Sequence, residues 1–395
     1  MGKESTDRLG CTQSKTSILN TASIRHTSPQ RQLAPPNHDP RVDRRTFSLR
    51  AAKLSFFYVA RAAGLFRLSR FLTRSRVRIL CYHGGGIGDE HLFNSLLFCR
   101  AEFLDSRLRW LIDNRFSFVS LKDAVAMVVG NSARPHFPTV LTFDDGWFST
   151  YKTLHPVVHR LDLPATLYLC TSYFVGGWPN VEVAMHYLIW RNQRRQTEIQ
   201  GLHVDVDGTY DLSEAQGRQR LVKAAQAWIR QNFNSRESVC AALEQVGTQL
   251  GVAPTELDLA SRRFDFATAN ELGTMRQQGW SIELHGHAHH YPVGRPGELK
   301  HDLETCQTEI RRAGLGVARH YCYPSGEHDD SAYGVLSELG IESAVTCEAG
   351  LIGKADARAK FHLPRFLDGA HIHELEFESE MSGFGHFLRR LTGRQ

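Results

Sequence analysis

The stretch Val140-Leu141-Thr142-Phe143-Asp144-Asp145-Gly146 is an apolar run that ends in two adjacent carboxylates and a glycine. An apolar run bounded by turn residues is typical of a buried strand. Two neighbouring carboxylates at the end of a strand disfavour joint ionisation unless something positive binds there. A divalent metal ion held by one carboxylate removes that cost and leaves the other free as a base. The alternative is a surface turn, since Asp-Gly is a common turn dipeptide.

Around this stretch, strand and helix patterns alternate from Val77 onward. Alternation of this kind predicts a parallel sheet, either open or closed into a barrel. In both arrangements functional groups gather at the carboxyl ends of the strands, which is where Asp144, Asp145 and His83 fall. The predicted strands are residues 78–83, 116–119, 140–143, 165–170, 280–284, 319–323 and 343–346.

The rhythm is interrupted between residues 175 and 262. This region contains helical patterns but no regular alternation with strands, and we interpret it as a mostly helical insertion. We therefore predict a catalytic domain over residues 76–395 that carries this insertion. The insertion is expected to shape a substrate groove or to act as a lid.

The N-terminal quarter of the chain has a different composition. Residues 1–48 are rich in Ser, Thr, Arg, Pro and Gln, which predicts a disordered basic tail. Residues 49–75 interleave apolar and basic side chains as in an amphipathic helix. Such a helix either lies on an anionic membrane face or packs on the main domain.

Whole-chain properties limit the protein class. Of 395 residues, 42% are hydrophobic and 23% charged, and the net charge of +5 is modest, so we expect a globular protein without a nucleic-acid partner. Eight cysteines without a C-x-x-C pair favour reduced thiols over a disulfide framework. No signal peptide or membrane-spanning run is recognisable. We expect a cytoplasmic protein with residues 50–74 as a peripheral contact to the inner membrane face.

A second polar cluster, His285-Gly286-His287-Ala288-His289-His290, follows the predicted strand 280–284. It should open onto the same face as Asp145. Imidazoles four residues apart can meet one metal ion from a helical turn, and His285 and His289 have that spacing. Two imidazoles and one carboxylate form a three-ligand site for zinc or a similar ion, with positions left for water and substrate. A surface histidine run is the alternative.

In these two clusters the sequence resembles the polysaccharide deacetylases, carbohydrate esterase family four, also called the nodulation-type deacetylase domain. The first family motif, TFDDG, is present as Thr142 to Gly146, and the second, H-[ST]-x-x-H, as His285 to His289 with Gly286 at the second position. The resemblance covers about residues 77–370. It implies a distorted (β/α) barrel of about seven parallel strands. It also implies that Asp144 is the catalytic base, while Asp145, His285 and His289 hold a divalent metal ion, zinc being favoured.

The third family motif, R-x-P-[YW], is altered in this sequence. The matching stretch Tyr321-Cys322-Tyr323-Pro324-Ser325 has a cysteine at the arginine position and a serine at the aromatic position. Arg365, in Leu363-Pro364-Arg365, can supply the missing charge beside Asp144. This pattern looks like a branch of the family that carries YPxG and LPR. The last family motif, which carries a histidine that acts as general acid, has no clear match in this sequence. His287 is a candidate substitute.

Further residues are expected to line the substrate pocket: His83, Trp147, Tyr323 and Pro324. Trp147 either stacks on a sugar ring or packs in the core. The resemblance implies a metal-dependent hydrolase that removes N-acetyl groups from amino sugars of a polysaccharide or glycan precursor. The alternatives are an O-acetyl esterase, another C–N hydrolase of the same fold, and a non-catalytic glycan-binding protein.

Overall fold

The computed structural model describes residues 40–130, 134–192, 194–356 and 358–393, with side chains from Leu49 onward. The strands in these ranges are β1 (Arg78–Tyr82), β2 (Gly84–Gly85), β3 (Phe98–Cys99), β4 (Ser117–Phe118), β5 (Pro138–Asp145), β6 (Ala165–Leu169), β7 (Gln196–Ile199), β8 (Gly208–Asp211), β9 (Trp280–Leu284), β10 (His320–Cys322), β11 (Ser343–Val345) and β12 (Phe366–Leu367).

The α-helices in the same ranges are α1 (Pro40–Ala62), α2 (Leu65–Leu72), α3 (Glu90–Phe93), α4 (Ala101–Asp113), α5 (Leu121–Val129), α6 (His155–Arg160), α7 (Thr171–Gly176), α8 (Val181–Arg191), α9 (Ala215–Asn232), α10 (Arg236–Gln249), α11 (Pro254–Leu257), α12 (Ala269–Gln277), α13 (Pro296–Arg312), α14 (Ala332–Glu338), α15 (Glu374–Ser382) and α16 (Phe384–Thr392). A π-helical turn, Thr150–Leu154, leads into α6, and 3₁₀ turns cover Leu259–Ser261, Pro324–Gly326 and Ala359–Phe361.

The main sheet is parallel, with the strand order β11-β10-β9-β6-β5-β1-β12, and β4 pairs with the beginning of β5. Its two edges approach each other, because Leu363, just before β12, forms a parallel bridge with Val345 of β11. The sheet therefore curls into a distorted barrel. The expected (β/α) barrel of about seven parallel strands is confirmed.

Strand β5 lies inside this sheet, between β6 and β1. All eight of its residues are buried, as expected of a strand covered on both faces in an α/β fold. In register, Asp145 lies opposite Leu169, the last residue of β6, and β6 in turn pairs with β9, whose last residue, Leu284, lies opposite the same Leu169. The two sequence clusters singled out above therefore emerge at one edge of the barrel.

The chain between β6 and β9 forms a separate layer over this edge. Helices α8, α9 and α10 bury their own apolar cluster, which includes Leu188, Leu221 and Leu243. The expectation of a mostly helical region is met, but an antiparallel pair, β7 and β8, also lies within it. Thr197 and Ile199 of β7 are buried, whereas Gln196 and Glu198 are exposed, so only one face of this hairpin is covered.

The N-terminal helices differ in extent from the prediction. Helix α1 begins at Pro40, before the predicted boundary at residue 49. The helical conformation is interrupted at Gly64 (φ 80°), after which α2 begins. Phe57, Ala60 and Phe66 pack against Phe384 of α16. Residues 1–39 of the predicted disordered tail lie outside the described residues. Among the described helices, none is long and apolar enough to cross a membrane.

Candidate active site

Two carboxylates end β5 in a strained backbone. Asp144 and Asp145 are only 2% and 4% exposed. Asp145 has φ 75°, a conformation that is costly for a residue with a side chain, and Gly146 follows with φ 94°. A Cβ at Gly146 would lie 2.4 Å from a methyl group of Leu169, so only glycine fits there. This turn directs the two neighbouring carboxylates to different partners.

Asp145 faces two imidazoles. Its Oδ1 lies 3.3 Å from Nε2 of His285 and 3.1 Å from Nε2 of His289. Its Oδ2 accepts a hydrogen bond of 2.8 Å from the indole Nε1 of Trp147. The structure therefore brings together one carboxylate and two imidazoles that lie far apart in the chain.

The protonation of His285 indicates what this convergence can bind. Its Nδ1 lies 2.9 Å from the carbonyl oxygen of Cys322 and donates to it. In the neutral ring, Nε2 then carries no proton and has a free lone pair. That lone pair faces Oδ1 of Asp145, a buried oxygen that has no conventional hydrogen-bond donor. Two facing acceptors need a positive charge between them. Burial by itself lowers the pKa of His285, but the Asp145 carboxylate outweighs it and raises the pKa, so that charge is either a proton on Nε2 or a metal ion.

A divalent ion fits this arrangement. Ligands held at about 2.0–2.1 Å by a tetrahedral zinc ion lie roughly 3.3 Å apart, close to the separations between Asp145 and the two imidazoles. Asp145, His285 and His289 also form a group whose donor atoms all lie within 4.8 Å of one another. Three protein ligands of this type leave coordination positions for water and substrate.

The loop that carries the histidines is not the helical turn that their spacing suggested. Residues 285–290 form an irregular loop with bends at 287–289, and His289 has φ 53°. The carboxylate of Asp302 shapes this loop by accepting hydrogen bonds of 2.8 Å from the backbone N–H groups of His287 and Ala288. Gly286, at the position of the family Ser or Thr, has φ 78°, and a Cβ there would lie 2.8 Å from the Asp302 carboxylate.

Asp144 is held by the guanidinium of Arg365. Nη1 and Nη2 of Arg365 donate to the two carboxylate oxygens at 2.8 Å each, and the arginine is fully buried. Nη2 also lies 3.0 Å from the thiol of Cys322, the residue that stands where the family motif has its arginine. Cys322 thus leaves space for a guanidinium that arrives from a different loop. Burial by itself raises the pKa of Asp144, but the charge of Arg365 outweighs it, and the pKa lies below its usual range.

A cavity of about 360 Å³ opens above these groups. His83 lines it and places Nε2 4.0 Å from Oδ2 of Asp144. Burial lowers the pKa of His83, although Asp145 and Asp144 oppose this effect. The cavity has the size of a small-ligand site and contains both carboxylates, His285 and His289.

Several cavity residues were not predicted from the sequence. Tyr173, Glu182 and Arg230 come from the layer over the barrel edge, and Tyr173 stacks on Phe266 with ring centroids 4.6 Å apart. Asp368, just after β12, also lines the cavity, and burial raises its pKa to about 6 even though Arg107 and Tyr82 contact it. No local pattern marks these residues, because packing of distant segments brings them to the cavity.

A sequence model of the polysaccharide deacetylase family matches residues 132–344, more than half of the chain. The chain belongs to the polysaccharide deacetylase family. Membership indicates a hydrolase, and the matched range contains both carboxylates and both imidazoles that face Asp145.

Individual relatives are more distant. The Bacillus subtilis (strain 168) protein YxkH, which carries a polysaccharide deacetylase name, is 28% identical over 95 residues, covering 24% of this chain and 32% of YxkH. The chain thus matches about a third of the length of that relative. The Streptococcus pyogenes deacetylase PplD, solved in complex with acetate, has a TM-score of 0.51 at 16% identity, covering 78% of this chain and 99% of PplD. IcaB from Ammonifex degensii has a TM-score of 0.49 at 14% identity, covering 78% and 97%.

The remaining residues predicted for the deacetylase site divide into those that line the cavity and those that do not. Pro324 lines the cavity, as does His83. Trp147, Tyr323 and His287 do not: Trp147 is buried beneath Asp145, the Tyr323 hydroxyl donates to the carbonyl of Phe361, and Nδ1 of His287 lies 3.0 Å from the Thr171 hydroxyl. The geometry therefore gives no support to His287 as an acid or to Trp147 as a sugar platform.

Trp147 instead supports a candidate metal ligand, which leads to a testable expectation. Trp147→Phe keeps the aromatic packing but removes the hydrogen bond to Oδ2 of Asp145. Loss of an outer hydrogen bond to a ligating carboxylate typically lowers metal affinity about 10–100-fold. We expect a fall of that size in zinc affinity, measured by competition with a chelating dye. Trp178→Phe, at a 38% exposed position, is the control, and unchanged affinity in Trp147→Phe would contradict the assignment.

Proposed function

We propose that this protein is a metal-dependent hydrolase that removes N-acetyl groups from the amino sugars of a polysaccharide or glycan precursor and releases acetate. One observation carries the proposal: Oδ1 of Asp145, buried and without a conventional donor, lies between the Nε2 atoms of His285 and His289, with Asp144 beside it. Family membership supplies the reaction class. Asp145, His285 and His289 are the residues proposed to hold the ion, and zinc is the ion that best suits this donor set.

The chain's own groups have separate tasks in this mechanism. A bound divalent ion supplies Lewis acidity, which polarises the acetyl carbonyl and lowers the pKa of a water molecule. Asp144 accepts the proton of the attacking water, a role worth about 10²–10⁴ in rate. Arg365 orients both oxygens of Asp144 and keeps the carboxylate charged in the buried site.

The departing nitrogen needs a proton, and we assign its transfer to His83, which would relay to the nitrogen the proton that Asp144 takes from water because burial lowers the pKa of His83 itself. The cavity imidazoles outside the proposed ligand set are His83, His290 and His371. Nε2 of His83 lies 4.0 Å from Oδ2 of Asp144, the group that takes up the proton of water. His371 also lines the cavity, but its Nδ1 is engaged by the carbonyl of Ser95 at 3.3 Å. Breakage of the C–N bond then yields acetate and a free amino sugar.

The function is tested by incubating the zinc-loaded protein with N-acetylglucosamine oligomers and measuring acetate and free amine together. Equal amounts of the two products support N-deacetylation. Release of acetate from O-acetylated sugars alone would instead favour the esterase alternative. Tight oligomer binding without any product in the metal-loaded protein would favour a glycan-binding protein.

The N-terminal helices support a second part of the proposal, contact with an anionic membrane surface. Their apolar side chains are concentrated on the outside: Leu49, Phe56, Tyr58, Val59, Leu65, Leu68, Phe71 and Leu72 are all exposed. No Asp or Glu occurs between Asp43 and Asp89, whereas Arg and Lys recur throughout that stretch. Exposed apolar side chains interspersed with basic ones are what a helix presents when it lies in a membrane interface.

The attachment of α1 gives this contact an orientation. Lys53 forms an ion pair of 2.7 Å with Glu376, and Nη2 of Arg50 donates to the carbonyl oxygen of His371, a cavity residue. Helix α1 is therefore tied to the segment that borders the cavity. A membrane bound by the exposed faces of α1 and α2 would lie on the side of the molecule formed by these helices and α16.

Vesicle flotation tests this contact. We expect the protein to float with vesicles that contain phosphatidylglycerol, to float less at high salt, and not to bind pure phosphatidylcholine. Val59→Gln combined with Phe71→Gln removes apolar area from exposed positions and should abolish flotation. Val293→Gln combined with Val317→Gln, at exposed apolar positions elsewhere, is the matched control. The membrane assignment would be contradicted if the Val59→Gln/Phe71→Gln variant still floats with the vesicles. It would also be contradicted if the wild type is a dimer in solution and this variant is a monomer.

A further inference from the structure

A second group of metal-ligand side chains lies outside the site built on Asp145. His328, Glu348 and His362 place one donor atom each within 4.8 Å of the others. His328 follows the 3₁₀ turn after β10, Glu348 follows β11, and His362 precedes β12. Three separate loops thus contribute one side chain each, which local sequence proximity does not explain.

The individual contacts within this group are close. Nε2 of His362 lies 3.1 Å from Oε2 of Glu348, and the rings of His328 and His362 meet edge to face with centroids 4.2 Å apart. The backbone N–H of Glu348 is bound by the Thr346 hydroxyl at 3.3 Å, which holds the residue near the imidazoles.

The tautomer of His328 is set as in a metal-binding histidine. Nδ1 of His328 lies 2.9 Å from the carbonyl oxygen of Gly326, two residues earlier, and donates to it in the neutral ring. This leaves Nε2 with a lone pair. A backbone carbonyl on one ring nitrogen is the usual way in which proteins orient the other nitrogen toward a metal ion. Outside this group, no other hydrogen bond of the His328 ring is found among the described residues.

We propose that His328, Glu348 and His362 bind a second divalent transition-metal ion of the zinc class. Two neutral imidazoles and one carboxylate are the same donor set as Asp145, His285 and His289, and such a set suits zinc, whereas calcium and magnesium prefer oxygen ligands alone. A plain ion pair between Glu348 and His362 explains their contact, and a ring contact with Tyr323, at 5.2 Å between centroids, holds His328 beside them. Neither contact uses the remaining lone pair of His328. The exposed side of the group leaves room for water as a further ligand.

This site would act as a clamp beside the active centre. Glu327 and Cys347, the sequence neighbours of His328 and Glu348, line the cavity, and Arg365 follows His362 by three residues. An ion held by all three side chains would restrain the loops that position Arg365 and Cys347. Because an ion that binds only the folded state stabilises it, zinc should raise the melting temperature through this site.

The proposal does not depend on deacetylase activity, and metal stoichiometry tests it. The purified full chain is dialysed against a small excess of Zn²⁺, and bound zinc is counted by mass spectrometry. We expect two zinc ions per chain in the wild type and one in His328→Gln/His362→Gln. We also expect one in His285→Gln. His301→Gln, at an exposed position of α13, is the control and should retain two.

Thermal unfolding provides the second readout. In His285→Gln, zinc should still raise the melting temperature, and adding His328→Gln/His362→Gln should abolish that rise. If the wild type binds a single zinc ion and His285→Gln loses it, the second site is overturned. If the wild type binds a single zinc ion and only His328→Gln/His362→Gln loses it, the second site is supported and the proposed function is overturned instead. Two zinc ions in His328→Gln/His362→Gln would place the second ion elsewhere and overturn the inference.

Discussion

Replacing Arg365 by methionine is expected to lower the free energy of unfolding by about 3–5 kcal/mol, the range seen when one partner of a buried ion pair is removed. Methionine fills much of the same volume, so the dominant effect is electrostatic. Asp144, which is 2% exposed, would lose both guanidinium contacts and remain as an unpaired buried carboxylate. The measurement is chemical unfolding at neutral pH.

Two further variants make this expectation specific. Arg311→Met, at an exposed position of α13, should change stability by no more than about 0.5 kcal/mol. Asp144→Asn combined with Arg365→Met removes both charges and should recover much of the lost stability while remaining inactive, because replacing both partners of a buried pair is often nearly neutral. Wild-type stability in Arg365→Met would show that the guanidinium does not hold Asp144 as described.

Replacing Asp144 by asparagine should lower kcat by about 10²–10⁴, the typical worth of a general base. The amide cannot accept a proton from water, but it is nearly the same size as the carboxylate. Asp145, His285 and His289 are left intact, so zinc binding should persist. Acetate release and zinc content are measured on the same preparation.

The control for this variant is Asp113→Asn, at an exposed position near the end of α4, which should keep wild-type kcat and zinc content. A variant Asp144→Asn that turns over at the wild-type rate would remove Asp144 from the mechanism. Loss of zinc together with activity would mean that Asp144 acts as a ligand rather than as a base.

The sequence predicted the barrel well because its strands are buried and short. The strand at Trp280–Leu284 has the predicted bounds, and β5 extends the predicted range 140–143 by two residues at each end. The two-residue strand β12 was not predicted, since Phe366 and Leu367 show no periodicity. Its place in the sheet depends on pairing with Leu80 and Cys81 of β1.

The site was predictable where a chemical requirement is written in adjacent residues. Asp145 ends strand β5, His285 and His289 follow strand β9, and the topology brings these strand ends together. Arg365 was a candidate because Cys322 stands at the family arginine position and Leu363-Pro364-Arg365 looks like the LPR pattern of a family branch, and it is the arginine that contacts Asp144. The two residues are 221 positions apart in the chain, so the resemblance pointed to this contact where spacing could not.

Side-chain direction could not be predicted from spacing. His287 lies between two residues that face Asp145, but the Asp302 carboxylate fixes the loop and the His287 ring meets Thr171 instead. Trp147 follows the first motif, yet its indole lies beneath Asp145 and stacks on Phe266 with centroids 4.6 Å apart. Both outcomes depend on residues far away in the chain.

The most direct test of the active-site assignment is a crystal structure of the zinc-loaded protein with an anomalous difference map at the zinc absorption edge. We expect a peak bonded to Oδ1 of Asp145 and to Nε2 of both His285 and His289 at about 2.0–2.2 Å, with Asp144 beside it and paired to Arg365. A map in which no peak contacts these three atoms, although the protein contains stoichiometric zinc, would contradict it.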